Sequence, residues 1–225
     1  MQLTEVTWTT VGARPLLCIP VGSCEQHGPH LPMGTDTIVA EAIAAGLAAE
    51  RVDVVVGPSL TVTASGEHAG FPGTLSVGTE ATAATIVELV RSADWSRGVV
   101  FVNAHGGNRD AVDRAMTTLD RDGRPALPWW PCIPGGDAHA GRTETSLLLA
   151  LRPDLVHLDA AAAGETAPLA VIASRLRTVG VRAVAPNGVL GDPAGASAEE
   201  GRALLARLVD DLARAVDTWR GAILP

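Results

Sequence analysis

The 225-residue sequence is poor in basic and aromatic side chains. It contains no lysine and no tyrosine, only two phenylalanines, and its formal net charge at pH 7 is −8. Proteins that bind the phosphate backbone of nucleic acids need a clustered basic face, which scattered arginines in an acidic chain do not supply. We therefore expect no nucleic-acid partner, and a core built from small aliphatic residues.

Cysteine is also scarce, and long apolar runs are absent. The three cysteines, at positions 18, 24 and 132, form no CxxC pair, and their odd number gives no disulfide framework. The first residues lack the basic and apolar parts of a secretory signal, and no run approaches the roughly 18 apolar residues of a membrane span. These absences predict a soluble, cytoplasmic protein without a membrane partner. At this length we expect one domain over residues 1–225.

Hydrophobic patterns alternate between strand and helix along the chain. Short apolar runs predict buried strands, and apolar residues at four-residue steps predict helices. The alternation indicates a layered α/β fold around a mostly parallel sheet. The predicted strands cover residues 16–21, 52–56, 98–103, 126–133 and 178–185, and the predicted helices cover 37–51, 79–91, 109–122, 147–151 and 197–219.

Capping signals precede three of these helices. Thr35 or Asp36 can cap the first, Asn108 can cap the third, and Ser197 with Glu200 resembles a capping box before the last. The segment 186–193 is rich in proline and glycine. We expect this segment to lie over the functional site or over a subunit contact.

Chemically active polar residues appear at four places where buried strands end. The carboxyl ends of parallel strands form one edge of a sheet, and α/β proteins bind their ligands at that edge. We therefore expect these residues to meet there. In chain order they are Glu25, His27, His30 and Asp36; Ser65, Glu67 and His68; His105; and His139 with Glu144.

Carboxylate and imidazole groups dominate this set. If Glu25 and His27 continue the path of the first strand, their side chains share one face, because strand side chains repeat every two residues. Mixed carboxylate and histidine ligands suit zinc, manganese or iron(II) without any cysteine. The number of candidates favours two divalent ions that share Asp36. The candidate metal ligands are Glu25, His27, Asp36, His105 and Glu144.

A pair of ions of this kind activates a bridging water and polarises a carbonyl oxygen. The expected reaction is therefore hydrolysis of an amide or a similar bond. His139, if it is not a ligand, is the candidate catalytic residue, placed to pass a proton to the leaving nitrogen.

Loops at the ends of strands commonly hold substrate, which makes Ser65, Glu67 and His68 candidate substrate-binding residues. A local ion pair or a surface turn is the alternative interpretation of Glu67 and His68. Trp129 and Trp130 belong either to the core or to one wall of a pocket, and we assign Trp130 to substrate binding.

Four segments together resemble the creatininase (creatinine amidohydrolase) family. They are Gly-Ser-Cys-Glu-Gln-His-Gly-Pro-His-Leu-Pro-Met-Gly-Thr-Asp at 22–36, Phe-Pro-Gly-Thr at 71–74, Asn-Ala-His-Gly-Gly-Asn at 103–108 and His-Ala-Gly-Arg-Thr-Glu-Thr-Ser at 139–146. The resemblance implies a three-layer α/β/α sandwich, a two-metal site, a peptide or small-molecule amide substrate and a homo-oligomer, hexameric or octameric. It also implies that Glu25 and His105 bind one ion, His27 the other and Asp36 both, with His139 as the catalytic residue.

The chain departs from creatininase itself at one position. That enzyme resembles this chain up to the histidine after the central strand, but it has a ligand glutamate two residues later, where Gly107 stands here. Glu144 is then the candidate that supplies the missing carboxylate, and creatinine becomes a less suitable substrate. Within the family, segments 129–132, 139–146 and 186–193 most resemble a peptidase that releases a modified Val-Tyr-derived dipeptide from the C-terminus of a precursor peptide.

Three alternatives stay open at this point. The first is another amidohydrolase of the same family, acting on creatinine or as a deformylase on a ribosylaminopyrimidine phosphate, although only scattered arginines could hold a phosphate. The second is a non-catalytic metal-binding scaffold. The third is a nucleotide-binding α/β module, but the glycines at 106–107 lack the lysine and hydroxyl residues of a Walker loop, and no GxGxxG motif occurs.

Overall fold

The computed structural model describes residues 1–12 and 14–223. Within these ranges, none of the helices combines the length and the apolar character needed to cross a membrane. The strands are β1 (Leu16–Val21), β2 (Val54–Val56), β3 (Gly98–Asn103) and β4 (Ala126–Trp129). The α-helices are α1 (Thr35–Glu50), α2 (Gly78–Ser92), α3 (Arg109–Arg121), α4 (Arg142–Leu151), α5 (Leu169–Val179), α6 (Val181–Val184) and α7 (Ala198–Ile223).

The strands form one parallel sheet in the order β2-β1-β3-β4. Strand side chains alternate between faces, so Leu16 and Cys18 of β1 enter the cluster that includes residues of α1, α4 and α7. Leu17 and Ile19 enter the other cluster, with residues of α2 and α3. Because helices cover both faces, β1 and β3 are apolar up to Asn103, the last residue of β3. The predicted three-layer α/β/α sandwich with a parallel sheet is confirmed.

The chain connections diverge between β1 and β3. The helix after β1, α1, packs on one face of the sheet, whereas α3, which follows β3, packs on the other. A divergence of this kind opens a crevice at the carboxyl ends of the two strands. Val21 pairs with Asn103, so the two strands end level with each other. Residues that follow β1 and β3 therefore enter the same crevice.

The exit from β1 runs tightly against the start of α1. A Cβ atom at Gly22 would overlap the backbone and the hydroxyl of Thr37. The Thr37 hydroxyl donates to the carbonyl of Ser23 at 3.2 Å, and the Thr63 hydroxyl donates to the carbonyl of Gly22 at 2.7 Å. This close approach holds the first turn of α1, which carries Asp36, beside the polar loop after β1.

The predicted caps of the first and third helices are wrong. Helix α1 begins at Thr35, two residues before the predicted start, so Thr35 and Asp36 both lie inside its first turn. The Asp36 carboxylate is therefore available to the crevice. Asn108 precedes α3 without capping it; its amide instead donates to Asn103 Oδ1 at 2.9 Å and to the carbonyl of Gly22 at 3.3 Å. Asn108 thus joins the ends of β1 and β3.

The predicted strand at 178–185 is wrong, because this segment is helical. It contains the end of α5, Gly180 with a φ of 76°, and the short helix α6. Val181 and Val184 lie three residues apart, so one helical turn places both on the same face. There they pack with Ile172 and Leu190 in a third, smaller cluster. The β-branched residues favour a strand locally, but tertiary packing overrides that preference.

The other boundaries shift by a few residues. β4 ends at Trp129 rather than at 133, and β2 begins at Val54 rather than at 52. The last helix begins as predicted, since the Ser197 hydroxyl accepts the N–H of Glu200 at 3.2 Å. Its apolar stripe packs into the first cluster, as expected for an amphipathic helix.

We expect Gly22→Ala to lower the free energy of unfolding by about 1–3 kcal/mol, because the added methyl group must push α1 away from β1. Urea denaturation followed by circular dichroism measures this change. Gly221→Ala is the matched control, since nothing surrounds that position in α7 and alanine improves helix propensity there. Equal stability of Gly22→Ala and the wild type would contradict the close approach.

Candidate metal centre

The candidate ligands form two triads that share Asp36. One triad is Glu25, Asp36 and His105, and the other is His27, Asp36 and Glu144. Within each triad, the potential ligand atoms all lie within 4.8 Å of one another. The structure thus brings together residues from the loop after β1, the first turn of α1, the exit of β3 and the first turn of α4.

Two imidazoles direct a nitrogen at the carboxylates. His105 Nδ1 lies 3.2 Å from both Glu25 Oε1 and Asp36 Oδ2, and His27 Nε2 lies 3.1 Å from Asp36 Oδ1. Backbone carbonyls bind the opposite nitrogens: His27 Nδ1 donates to the carbonyl of Glu25 at 3.1 Å, and His105 Nε2 donates to that of Ala64 at 2.9 Å. A carbonyl only accepts, so in the neutral rings the lone pairs of His27 Nε2 and His105 Nδ1 face inward. Metal-binding histidines are oriented in this way.

Glu25 gives the strongest indication that a cation belongs in this centre. Its side chain has 0% exposure, and its carboxylate oxygens have no well-aligned hydrogen-bond donor among the described residues; a neighbouring ring nitrogen, His105 Nδ1, lies 3.2 Å from Oε1. A buried carboxylate is costly unless it is paired with a cation or coordinates a metal. The carboxylate and imidazole donors of both triads suit a divalent transition-metal ion. The residues therefore fit the metal that the sequence predicts.

In the metal-free centre, the negative charges of the buried carboxylates shift the pKa values of the neighbouring histidines. Burial opposes ionisation of Glu25, but the adjacent His105 outweighs burial and lowers the pKa of Glu25 to about 2. Burial also opposes protonation of His27, but the carboxylates of Asp36, Glu144 and Glu25 outweigh it and raise the pKa of His27 to about 9. The pKa of His105 is raised well above its usual range, since Glu25 and Asp36 outweigh its burial. Without metal, protonated imidazoles supply the positive charge.

A tight bend brings His139 and Glu144 to the same centre. Ala140 is buried and has a φ of 53°, a left-handed conformation that costs a non-glycine residue about 1–2 kcal/mol. The N–H of Ala140 donates to Glu144 Oε2 at 2.5 Å. His139 forms a further triad with Glu25 and His27. Burial raises the pKa of Glu144 to about 7.

The segment 186–193 lies over the site, which is one of the two predicted positions for it. His139 and Leu190 form an antiparallel bridge, with the N–H of Leu190 donating to the carbonyl of His139 at 2.9 Å. The carbonyl of Gly188 in turn accepts the side-chain amide of Gln26 at 3.0 Å. The segment therefore contacts both the loop after β1 and the bend before α4.

His30 lies outside the triads and connects two of the elements that supply them. Its Nε2 donates to the Thr145 hydroxyl at 2.9 Å, and that hydroxyl donates to the carbonyl of Gly141 at 2.7 Å. His30 thus joins the loop after β1 to the first turn of α4, one residue from Glu144.

The turn at 66–68 lies next to the first triad. His68 Nε2 is 3.3 Å from Glu25 Oε1, Glu67 Oε1 is 3.7 Å from His105 Nε2, and the Ser65 hydroxyl is 3.5 Å from the same nitrogen. Burial lowers the pKa of His68 to about 4, despite the nearby Glu25. Contact between these three residues and a substrate stays a prediction.

The two adjacent tryptophans pack on opposite faces of the sheet. Trp129 belongs to the core cluster of α1 and α7, and its indole N–H donates to Asp211 Oδ2 at 3.1 Å. Trp130 packs against the cluster of α2 and α3, and the Arg109 guanidinium lies 4.2 Å from its ring centroid. Trp130 therefore contacts this cluster and Arg109 in the structure. A role of Trp130 in substrate binding stays a prediction.

Neighbouring side chains fill the space at Gly107, where the sequence departs from creatininase. A Cβ atom there would overlap Glu67 Oε1 and lie 2.5 Å from His105 Nε2. A longer side chain at this position would displace both residues. Glu144 instead lies within reach of His27 and Asp36, and its role as a metal ligand stays a prediction.

Sequence reasoning missed two buried residues that hold the candidate ligands. The Ser23 hydroxyl donates to Asp36 Oδ2 at 2.7 Å. Asn103 Nδ2 donates to the carbonyl of His105 at 2.7 Å, and Asn103 itself is held by Asn108. The sequence does contain a signal for them: Ser23 and Asn103 are short polar residues that lie at or just after the end of an apolar strand, two residues before the candidate ligands Glu25 and His105. Second-layer contacts of this type orient metal ligands.

A cavity of about 210 Å³ borders Asp36 and Glu144. Apolar side chains of three helices and of the loop after β4 form much of its remaining wall. It leaves room for part of a substrate beside two candidate ligands. The apolar lining includes Val39, Ile133, Leu147 and Leu208.

The family model for creatininase, described as creatinine amidohydrolase, matches residues 4–216. The chain belongs to the creatininase family. One relative in the family is the mycofactocin precursor peptide peptidase of Mycolicibacterium smegmatis, 49% identical over 214 residues, which cover 92% of this chain and 86% of that protein. The peptidase of the same name from Mycobacterium tuberculosis H37Rv is 50% identical over 216 residues, covering 91% of this chain and 86% of the relative.

Solved creatininases share the fold. A mutant creatininase described as the Zn-Zn type superposes with a TM-score of 0.78 at 27% identity, covering 100% of this chain and 98% of that one. A structure described as creatininase Mn superposes with a TM-score of 0.75 at 26% identity, covering 100% and 99% of the two chains. The creatininase fold thus extends over the described residues.

We expect the metal-free protein to lose stability as the pH rises from 6.5 to 9. A histidine with a higher pKa in the folded state stabilises fully below its unfolded pKa of about 6.5, and this contribution disappears as the pH rises through the folded value. For His27 the folded value is about 9. The raised pKa of Glu144, about 7, acts in the same direction at the lower end of the range. Thermal unfolding of chelator-treated protein should show a midpoint that falls by several degrees.

His27→Gln should flatten this dependence, whereas His157→Gln, which changes an exposed histidine, should leave it intact. A midpoint that stays constant or rises between pH 6.5 and 9 in metal-free wild-type protein would contradict the assigned electrostatics.

Proposed function

We propose that the protein is a metal-dependent peptidase that releases the modified Val-Tyr-derived C-terminal dipeptide from the mycofactocin precursor peptide. The observation that carries the proposal is the pair of triads sharing Asp36, in a chain about half identical to peptidases of that name. The triads supply the chemistry of amide hydrolysis, and the high identity over nearly the whole chain supports the choice of substrate.

In this proposal each chain binds two divalent ions, which can be zinc, iron(II) or manganese. Glu25, Asp36 and His105 would hold one ion, and His27, Asp36 and Glu144 would hold the other. Bound ions of this kind polarise a carbonyl oxygen and make a bound water nucleophilic near neutral pH. Creatininases described as Zn-Zn and Mn forms support divalent metal binding, and the ligand set accepts several first-row ions.

His139 moves the proton in the proposed reaction. Its Nδ1 lies 3.9 Å from Glu25 Oε1, and its ring centroid lies 4.2 Å from that of His27. Burial and the neighbouring His27 and His68 keep its pKa well below the usual value, so the ring is neutral near pH 7. A neutral imidazole beside the attacking water accepts its proton and can pass it to the leaving nitrogen.

The substrate contacts and the assembly complete the proposal. Ser65, Glu67 and His68 form one side of the substrate site beside the first triad, and Trp130 contributes from the end of β4. A homo-oligomer, hexameric or octameric, and a cytoplasmic location are further parts of the proposal.

Substitution of the ligands should separate the two ions. We expect Asp36→Ala to lose both ions, because it removes the shared carboxylate, and Glu144→Ala to lose mainly one. Inductively coupled plasma mass spectrometry of purified protein gives the metal content per chain. Asp110→Ala, an exposed carboxylate in α3, is the control and should retain the wild-type content. If one ion stays bound after Asp36→Ala, the proposal that Asp36 bridges both ions is wrong.

Substitution of His139 should separate catalysis from metal binding. We expect His139→Gln to lower the rate of dipeptide release by about 10²–10⁴-fold, the usual contribution of a general acid–base residue, with the metal content unchanged. Mass spectrometry of the modified precursor peptide measures the release, and His157→Gln should retain the full rate. An intact precursor peptide together with turnover of creatinine by the wild type would reverse the choice of substrate.

A further inference from the structure

The side chain of Gln26 lies at the centre of the histidine cluster, although sequence reasoning assigned it no role. Gln26 is 6% exposed, and each polar atom of its amide has a close partner. Its Oε1 accepts the N–H of Gly28 at 2.8 Å. Its Nε2 lies 2.9 Å from His68 Nδ1, 3.0 Å from the carbonyl of Gly188 and 3.1 Å from His139 Nε2.

Backbone groups fix which way this amide points. The N–H of Gly28 can only donate, so the atom that faces it must be the Gln26 oxygen. The carbonyl of Gly188 can only accept, so the atom that faces it must be the nitrogen. If the two amide atoms were exchanged, the Gln26 nitrogen would face the N–H of Gly28, and the Gln26 oxygen would face the carbonyl of Gly188. Neither pair could form a hydrogen bond.

The Gln26 nitrogen has two hydrogens for three close neighbours. The carbonyl of Gly188 takes one hydrogen. His139 Nε2 does not need the other, because it lies 2.8 Å from the backbone carbonyl of Gln26 and must itself donate to it. The second hydrogen therefore goes to His68 Nδ1, which must be an acceptor without a hydrogen of its own.

These assignments define both rings. The neutral His68 ring carries its hydrogen on Nε2, the nitrogen that lies 3.3 Å from Glu25 Oε1. The His68 nitrogen nearest to the candidate ligand Glu25 therefore carries a hydrogen rather than a lone pair. His139 also carries a hydrogen on Nε2, which leaves Nδ1, 3.9 Å from Glu25 Oε1, as the nitrogen that can exchange a proton at the centre.

We propose that Gln26 is a positioning residue that fixes the tautomers of His68 and His139, through its side-chain amide in the first case and its backbone carbonyl in the second. The segment 186–193 takes part in this arrangement. A Cβ atom at Gly188 would overlap the Gln26 amide, and the φ of 80° at Gly188 is a conformation that glycine adopts freely. Gly188 therefore lets a backbone carbonyl reach the amide.

The meaning of this arrangement for catalysis rests on the proposed function, because it assigns proton transfer to Nδ1 of His139. The tautomers themselves do not depend on the substrate. They can be measured in the zinc-loaded protein alone, so failure of the proposed peptidase activity and failure of this proposal are distinguishable.

The test is a long-range ¹H–¹⁵N correlation spectrum of zinc-loaded protein labelled with ¹⁵N-histidine at pH 7, assigned by single histidine substitutions. In the wild type we expect protonated Nε2 in both His68 and His139, and a non-protonated Nδ1 in His68. A protonated Nδ1 in His68, or a non-protonated Nε2 in either ring, overturns the proposal. The wild-type spectrum carries the result, and the histidine variants serve only to assign its signals.

Gln26→Glu gives a second, independent readout with nearly unchanged side-chain volume. A carboxylate cannot donate to His68 Nδ1, so we expect that nitrogen to become protonated, while His139 keeps its Nε2 hydrogen because its partner is the backbone carbonyl. Gln2→Glu, at an exposed residue, is the matched control and should leave both rings as in the wild type. An unchanged His68 pattern in Gln26→Glu overturns the role of the amide.

Discussion

The structure depends on a cluster of carboxylates and imidazoles that the surrounding residues cannot neutralise by themselves. Glu25 is buried without a well-aligned hydrogen-bond donor among the described residues, and Asp36 lies between two histidines, 3.1 Å from His27 Nε2 and 3.2 Å from His105 Nδ1. Such groups are tolerated inside a protein only when a cation or a set of bound protons balances them. The apolar layers on both faces of the sheet provide enough stability to hold them in place. A cation bound by these groups would therefore stabilise the folded state.

The fold places these groups together through the ends of two strands. β1 and β3 end level with each other, and their following helices pack on opposite faces of the sheet. The loop after β1 can then remain open toward β3 without being covered by either helix. Gly22 allows α1 to start directly against this loop, and Asn108 joins both strand ends by side-chain hydrogen bonds. The geometry of the centre thus comes from the rigid core rather than from the loops alone.

The sequence predicted the features that depend on local pattern, namely the central strands, the helices that cover them and the meeting of the polar residues at one edge. It failed where distant packing decides. Val181 and Val184 suggested a strand, but they pack as one helical face against Ile172 and Leu190. Asn108 was predicted to cap a helix, but its side-chain amide donates hydrogen bonds to the carbonyl of Gly22 and to Asn103 Oδ1 instead. The role of Gln26 depends on Gly188, which is 162 residues away and has no signal near Gln26 in the sequence.

The histidines of the centre differ in the group that accepts or donates the hydrogen bond fixing their tautomer. This difference determines which tautomers a side-chain substitution can change. Backbone carbonyls fix the hydrogen of His27 on Nδ1 and those of His105 and His139 on Nε2. No side-chain substitution removes a carbonyl, so these three orientations persist as long as the backbone does. His68 alone is set by another side chain, the amide of Gln26. The position of the hydrogen on His68, the non-ligand histidine nearest to Glu25, is therefore a property of this centre that substitution of one side chain can change.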